Sequence, residues 1–492
     1  MSEYVLGLDI GTSAVKAVLV DASGELAGIS SKKYGADHRG SRFAEQDAND
    51  WWTAVKEAIR ELTARLPKSA HVSAMSLSTQ GGTLVPVKQD GSPLSASRLW
   101  YDKRCHHEAD YIRENRLADY LYEQTGWSLL EGLNLLQIMW MRENEPELFA
   151  ATEMFLSVPD FISLKLTGVA AVDASNAGIN QLSDIRQLKW DDKLLSLAGI
   201  EEKNLAALLE SGSVIGPLKK DLADTLGLSE DTLLIAGGHD QYCSALGLGA
   251  VAPGDAILGT GTAWVVVAIT EEPHYDSKHG VSVSRHVLPD LWGAMFTLET
   301  GGSSLAWWRD LAFKGQADTS FAVIDNELEK RPLNEKLFYY PYLSGMKYPM
   351  WKSDFHGAFL GMTPEIDQYD MSGAVMEGVA FQSTWQLDTL KLKDSGVVYM
   401  SGGGAKSGYW SQIVADILDR PLYIPELTDT GAYGAALIAG LAVGLYDNTE
   451  QISARIKAGA RLVEPSKLSA MRKEKFELYK ENANHLTALK HV

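Results

Sequence analysis

The chain reads as an α/β protein of two similar lobes with a central cleft between them. Three observations predict this. Its 492 residues exceed what one hydrophobic core of roughly 100 to 250 residues organises, so two domains are expected. Short strand-like runs alternate with helical stretches along the chain. The opening pattern of strand, Gly-Thr turn and strand then returns at mid-chain, where Leu258-Gly259-Thr260-Gly261-Thr262 matches Leu8-Asp9-Ile10-Gly11-Thr12, an offset of 250 residues from Gly11 to Gly261. A repeat at half the chain length implies two related halves, residues 1–245 and 246–492, facing each other.

Taken in order, residues 4–9, 14–20 and 25–33 read as three strands separated by Gly11-Thr12-Ser13 and Asp21-Ala22-Ser23-Gly24, which is a meander. Trp52, Val55, Ile59 and Leu62 recur at helical spacing behind the cap candidates Asp47 and Asn49, predicting a helix over 49–66. Strands are expected at 72–78 and 83–87, and long helices at 103–124 and 130–144. In the second half a strand at 232–236, a helix at 240–249 and a hairpin over 256–270 restart the pattern. A strand at 397–400, the cluster Ser401-Gly402-Gly403-Gly404-Ala405 and a helix at 409–418 follow.

Composition narrows the function. Hydrophobic residues make up 45% and charged residues 22%, so most of the chain is expected to pack. The formal net charge of -19 argues against nucleic acid or an anionic membrane as partner. The two cysteines, Cys105 and Cys243, are read as reduced thiols. The strand at 4–9 begins without a basic and apolar leader, and no apolar run reaches the roughly 20 residues that span a bilayer. A cytoplasmic protein handling small molecules is expected.

Glycine-rich turns between strands let backbone N–H groups approach a phosphate, because no side chain intervenes. Two such turns, facing, would clamp a triphosphate. The first carries Asp9 where the second has Gly259; a carboxylate beside phosphates calls for an intervening cation, so Asp9 is either a Mg²⁺ site reached through water or a turn residue. The 401–405 cluster is either a platform for a purine or a tight strand-to-helix connection. Asp240, in Gly237-Gly238-His239-Asp240-Gln241, sits where the halves meet. It either caps the following helix or accepts a proton from a substrate hydroxyl. His239 reads as a packed neighbour, His106 and His107 as a solvated helix face, and the pairs Trp51-Trp52 and Trp307-Trp308 as core on one side and groove on the other.

Together these residues resemble the FGGY carbohydrate kinase family, which includes xylulokinases, glycerol kinases and gluconokinases. Asp9 to Ser13 resembles its first phosphate motif, followed by Phe43-Ala44-Glu45-Gln46-Asp47 with Trp51-Trp52, and by Trp100-Tyr101-Asp102-Lys103-Arg104. Gly357 to Met362 and then Asp370 to Glu377 fit the second family signature throughout, and Pro341 to Gly345 and Gly402 to Ser407 add two more matches. The resemblance implies an actin-like ATPase (ribonuclease H-like) fold in both lobes, ATP with Mg²⁺ as donor, and Asp240 as the base. It implies Thr12, Ser13, Lys16 and Thr260 near the phosphates, Gly302, Gly404 and Gly408 near the nucleoside, and Thr79, Gln80, Asp240 and Gln241 at the sugar. The implied partner is a small sugar or polyol, xylulose nominally, with a homodimer as an option. Three departures bear on the sugar: Thr79-Gln80 stands where xylulokinases have Met-His and glycerol kinases Arg-Glu, Asn134 and Gln137 break the first signature, and Met346-Lys347-Tyr348-Pro349 replaces the common Glu-Arg-Thr-Pro. Polyols, other ketoses and aldonates are the rival substrates, and an actin-like ATP-driven binding protein is the rival outside the class.

Overall fold

The computed structural model describes residues 2–40, 42–67, 69–314, 320–352, 354–393 and 395–487. In the first half β1 (Ser2–Ile10), β2 (Ala14–Asp21) and β3 (Leu26–Lys33) form the antiparallel meander, and helix α1 (Ala48–Thr63) packs across it. β4 (Ala70–Thr79) returns parallel to β1. β5 (Val214–Pro217) and β6 (Leu233–His239) complete a six-stranded sheet of order β5-β6-β4-β1-β2-β3, with β6 parallel to β4. Helix α2 (Asp240–Gly247) starts directly at the end of β6.

The second half repeats this topology. β7 (Ala256–Thr260), β8 (Trp264–Thr270), β9 (Ser282–Arg285) and β10 (Trp292–Leu298) lead to helices α3 (Gly302–Ala312) and α4 (Gln368–Thr389), then β11 (Val398–Gly402) and α5 (Gly408–Leu418). β12 (Leu422–Ile424), α6 (Thr430–Ala442), β13 (Arg461–Val463) and α7 (Ser469–Thr487) complete the half. The sheet order is β9-β10-β8-β7-β11-β12-β13. β10, β8 and β7 are antiparallel as β3, β2 and β1 are, and β11 and β12 add in parallel as β4 and β6 do. β5 and β13 each close the far edge antiparallel.

Local sequence explains the elements. Asp47 caps α1 by accepting from the Asn49 N–H, and the helix buries Trp51, Val55, Ile59 and Leu62 against the meander while Trp52 is half-buried. The expected helix over 103–124 is two, His106–Glu114 and Ala118–Thr125. The chain breaks between them where Arg116 adopts a left-handed φ of 57°, a conformation no helix interior accepts. The helix expected from 130 begins at Asn134, because Leu133 before it is extended, with φ -95° and ψ 161°. The strand expected over 83–87 narrows to Val85–Val87. Both cysteines are buried free thiols.

The buried apolar residues form three clusters: one under each sheet, and a third that joins them through Val5, Val18, Ile235, Tyr242, Leu246, Ile257, Val267, Ala436 and Leu437. Helix α6 lies at the heart of the third. Residues 431–440 are all buried, as expected of a helix covered on every side, and although it belongs to the second half it packs on β1 and β4 of the first. It fits because it is made of small residues: a Cβ on Gly434 would stand 1.8 Å from the Cys243 carbonyl oxygen of α2, and one on Gly247 would stand 2.1 Å from the Thr430 carbonyl oxygen.

Gly434→Ala is therefore expected to force α2 and α6 apart and lower stability by about 1–3 kcal/mol or more. Gly35→Ala, where a Cβ meets nothing within 4 Å, is expected to change stability by less than about 0.5 kcal/mol. Equal urea midpoints for the two variants would show that the close approach does not hold the halves together.

Candidate active site

Strand register gathers the candidate residues of the first half at one sheet end. Asp9 pairs with Lys16 across β1 and β2 and with Ser78 across β1 and β4, Ile10 pairs with Thr79, and His239 pairs with Thr79. The carboxyl ends of three parallel strands thus present Asp9, Thr79-Gln80 and His239-Asp240 side by side. Asp240 opens α2, and α6 brings Asp429 and Gly431 to the same place.

Asp9 has one side-chain donor, the Ser78 hydroxyl at 2.7 Å. Burial pushes its carboxyl up to about 6, the nearby Asp240 and Asp429 push the same way, and the Ser78 hydrogen bond and Lys16 oppose. Lys16 Nζ lies 3.1 Å from Asp429. Asp9 therefore feels two further carboxylates and one ammonium, a negative balance that fits a cation arriving with phosphates. Among the described residues no group of three or more His, Cys, Asp or Glu could hold a metal ion alone. Asp9 could hold Mg²⁺ here only through water, with phosphate oxygens completing the donors. Gly431 leaves the carboxylate its room, since a Cβ there would lie 3.1 Å from Asp9 Oδ1.

Asp240 is not the helix cap. That position belongs to His239, whose Nδ1 accepts from the Gln241 N–H at 3.3 Å. The same Nδ1 lies 3.1 Å from Asp240 Oδ1; as acceptor of the Gln241 bond it has no proton to give that oxygen, whereas a protonated ring would pair with it. Asp240 Oδ1 is buried without a hydrogen-bond partner, while the side chain as a whole keeps 33% of its surface exposed.

Around it, Thr12 donates its hydroxyl to Gln80 Oε1 at 3.0 Å, and its carbonyl accepts from Gln46 Nε2 at 2.6 Å. Gln46 is fixed in turn by Trp51 Nε1, so the buried face of α1 sets the first Gly-Thr turn. Gln80 Nε2 is buried without a partner. Thr79 is fully buried, its hydroxyl accepting from Asn176 at 3.3 Å. Ser13 is exposed and Gln241 is half-buried. Trp100, 46% exposed, reaches the Thr12 hydroxyl with its indole N–H at 3.5 Å.

In the second half the three glycine loops converge. Thr260 pairs with Gly402 across β7 and β11. Its hydroxyl donates to the Ser401 carbonyl at 2.5 Å and accepts from the Ala405 N–H at 3.0 Å, so this side chain stitches the loops together. Gly404 is buried against Thr260, and Gly302 starts α3 with its N–H on the Gly261 carbonyl at 3.2 Å. Gly408, first residue of α5, is exposed, and a Cβ there would meet nothing within 4 Å. Backbone at Gly261, Gly302 and Gly402 to Gly404 thus forms a surface with few side chains in the way, suited to phosphate and a flat base.

Sequence reasoning missed Ser78, Asp429 and the whole of α6, and took Gln46 only as part of a family motif, without its role. The Gly-Ala-rich run Gly431 to Gly440 was the available signal, since small residues at every turn mark a helix buried all round.

Comparison with known proteins agrees with this architecture. The model of the FGGY family of carbohydrate kinases, N-terminal domain, matches residues 4–247, and that of the C-terminal domain matches residues 255–443. The chain is 31% identical to the xylulose kinase of Bacillus subtilis over 99% of each chain. It superposes on the ligand-bound xylulose kinase of Lactobacillus acidophilus with a TM-score of 0.92, at 26% identity over 99% of each chain. The gluconate kinase of the same organism gives a TM-score of 0.92 at 25% identity, again over 99% of each chain. With both halves matched in order and the two-lobed architecture shared along the whole chain, this protein belongs to the FGGY family of carbohydrate kinases, an enzyme that transfers phosphoryl from ATP to a sugar hydroxyl.

Proposed function

We propose that this kinase phosphorylates the primary hydroxyl of a ketopentose, with xylulose the leading substrate, and that Asp240 is its general base. The observation that carries the reading is the Asp240 carboxylate at the meeting of the two halves, one-third exposed and accepting no hydrogen bond from the described residues, with the capping duty taken by His239. Asp240 accepts the hydroxyl proton as the oxygen attacks the γ-phosphorus in line and the bond to the β–γ bridging oxygen breaks. Thr12, Ser13, Lys16 and Thr260 border the phosphates, with Lys16 exchanging Asp429 for a phosphate oxygen. Gly302, Gly404 and Gly408 border the nucleoside, and Thr79, Gln80 and Gln241 the sugar. Magnesium arriving with the nucleotide supplies charge neutralisation on the phosphates, and Asp9, oriented by Ser78, would hold it through water. The boundary between the halves is placed near residue 245, inside α2, and the enzyme in the cytoplasm. No helix among the described residues is long and apolar enough to cross a membrane.

A second reading is an aldonate as acceptor, favoured by the likeness to a gluconate kinase and by Thr79-Gln80 standing where xylulokinases carry Met-His. The local charge opposes it, because Asp9 with Asp240 and Asp429 near it outweighs Lys16, itself paired with Asp429, and would repel a substrate carboxylate. A panel of ketoses, polyols and aldonates in a coupled ADP-release assay decides: a ketopentose is expected to give the highest kcat/KM, and gluconate in first place would overturn the reading.

Asp240→Asn keeps size and most hydrogen bonding but removes the proton acceptor. Turnover at saturating sugar is expected to fall by roughly 10² to 10⁴, with ATP affinity by calorimetry nearly unchanged. Near-normal turnover would reduce Asp240 to a structural residue.

Asp9→Ala is expected to lower kcat/KM for ATP by roughly 10- to 100-fold at limiting Mg²⁺, the range for an indirect metal partner. Part of the loss should return as Mg²⁺ is raised. Wild-type kinetics throughout the Mg²⁺ titration would remove Asp9 from the metal site.

A further inference from the structure

The β6 strand loses its regular pairing with β4 just before the base. The register shifts between Ile235 and Gly238, where Gly237 lies so close to β4 that a Cβ would stand 1.8 Å from the Leu77 carbonyl oxygen. The ladder is irregular where Gly238, His239 and Asp240 must be aimed. What holds this end is a buried knot on a different segment. Asp173 is 2% exposed, Ser175 0% and Asn176 1%. Asp173 Oδ1 accepts from the Ser175 N–H at 3.0 Å, the Ser175 hydroxyl at 2.6 Å and the Asn176 N–H at 3.0 Å, while Oδ2 accepts from Asn176 Nδ2 at 2.7 Å.

The knot reaches outward by two arms. The Ser175 hydroxyl, its own proton directed to Asp173, accepts the His239 N–H at 2.8 Å. Asn176 Nδ2 donates to the Thr79 hydroxyl at 3.3 Å. One arm therefore grips the strand end that carries Asp240 and the other the strand end that carries Gln80. We propose that Asp173, through Ser175 and Asn176, positions the proposed base and the proposed sugar-binding pair relative to each other. This rests on the reading of Asp240 as base and extends it to residues buried behind the two strand ends. The Asp173 carboxylate is suited to the task because four donors fix both of its oxygens, so neither arm can turn without breaking a charge-assisted hydrogen bond.

The test is a double-mutant cycle in the full-length enzyme, with MgATP and the best acceptor of the sugar panel. Ser175→Ala is expected to lower kcat about tenfold or more while KM for ATP moves less than twofold, because a small misplacement of the base is costly in rate. In an Asp240→Asn background the same substitution is expected to cost less than threefold, since there is no base left to misplace. Asn176→Ala, the second arm, is expected to raise KM for the sugar several-fold with KM for ATP unmoved. Unchanged kcat in Ser175→Ala, an equal loss in both backgrounds, or a lowered melting temperature with unchanged kinetics in both single variants would overturn the proposal. If Asp240→Asn alone retains turnover, the base assignment fails first, which separates the two readings.

Discussion

Where helix α6 crosses the first sheet, Gly7 of β1 faces the Ala432 carbonyl so closely that a Cβ would stand 1.9 Å from the oxygen. On its other side the same helix lies against α2 through Gly434 and Gly247. Three backbones therefore meet at distances that glycine alone permits. The contact places the N-terminus of α2, which carries Asp240, and the N-terminus of α6, beside Asp429, over the ends of β1 and β4. The halves are interlocked: the helix that seals the first sheet is supplied by the second half of the sequence, and the apolar cluster joining the sheets draws on both.

That convergence concentrates negative charge. Asp240 and Asp429 both act on Asp9 with Lys16 opposing them, and Asp9 rises to about 6 mainly because it is desolvated. A fold selected for stability alone would leave fewer acidic groups here, since a buried carboxylate without a full set of donors costs free energy. The arrangement makes physical sense as one half of a charge balance, to be completed by a nucleotide and its cation. The Lys16 to Asp429 pair, with Lys16 41% exposed, contributes little as an isolated ion pair and is correspondingly easy to exchange.

Features set by neighbours in sequence were legible without a structure. The meander, the Gly-Thr turns, the cap at Asp47 and the strand-to-helix passage at His239-Asp240 each depend on residues within a few positions, and the repeat at Gly261 identified the second sheet. Features set by tertiary partners were not. Nothing near Asp173 in sequence indicates that its neighbours grip Thr79 and His239, 97 and 64 residues away along the chain from Asn176 and Ser175. The break at Arg116 escaped periodicity because apolar spacing persists across it, and nothing local shows that the Thr260 hydroxyl joins two loops.

The division of labour between His239 and Asp240 shows how local chemistry frees a functional group. An aspartate at the end of a strand and the start of a helix would ordinarily turn back to the first free N–H groups and satisfy its own acceptors. Here histidine stands one residue earlier, in extended backbone, and its Nδ1 takes the Gln241 N–H. Asp240, already inside the helix, is not needed for that N–H, and its Oδ1 has no hydrogen-bond donor among the described residues. Leaving one buried acceptor unsatisfied costs about 1–3 kcal/mol. The cost is tolerable in a protein whose neighbouring strand end is held by the Asp173 knot and whose helix start is satisfied by the imidazole. The exposed part of the same carboxylate, equally free of donors among the described residues, is what a substrate hydroxyl can engage.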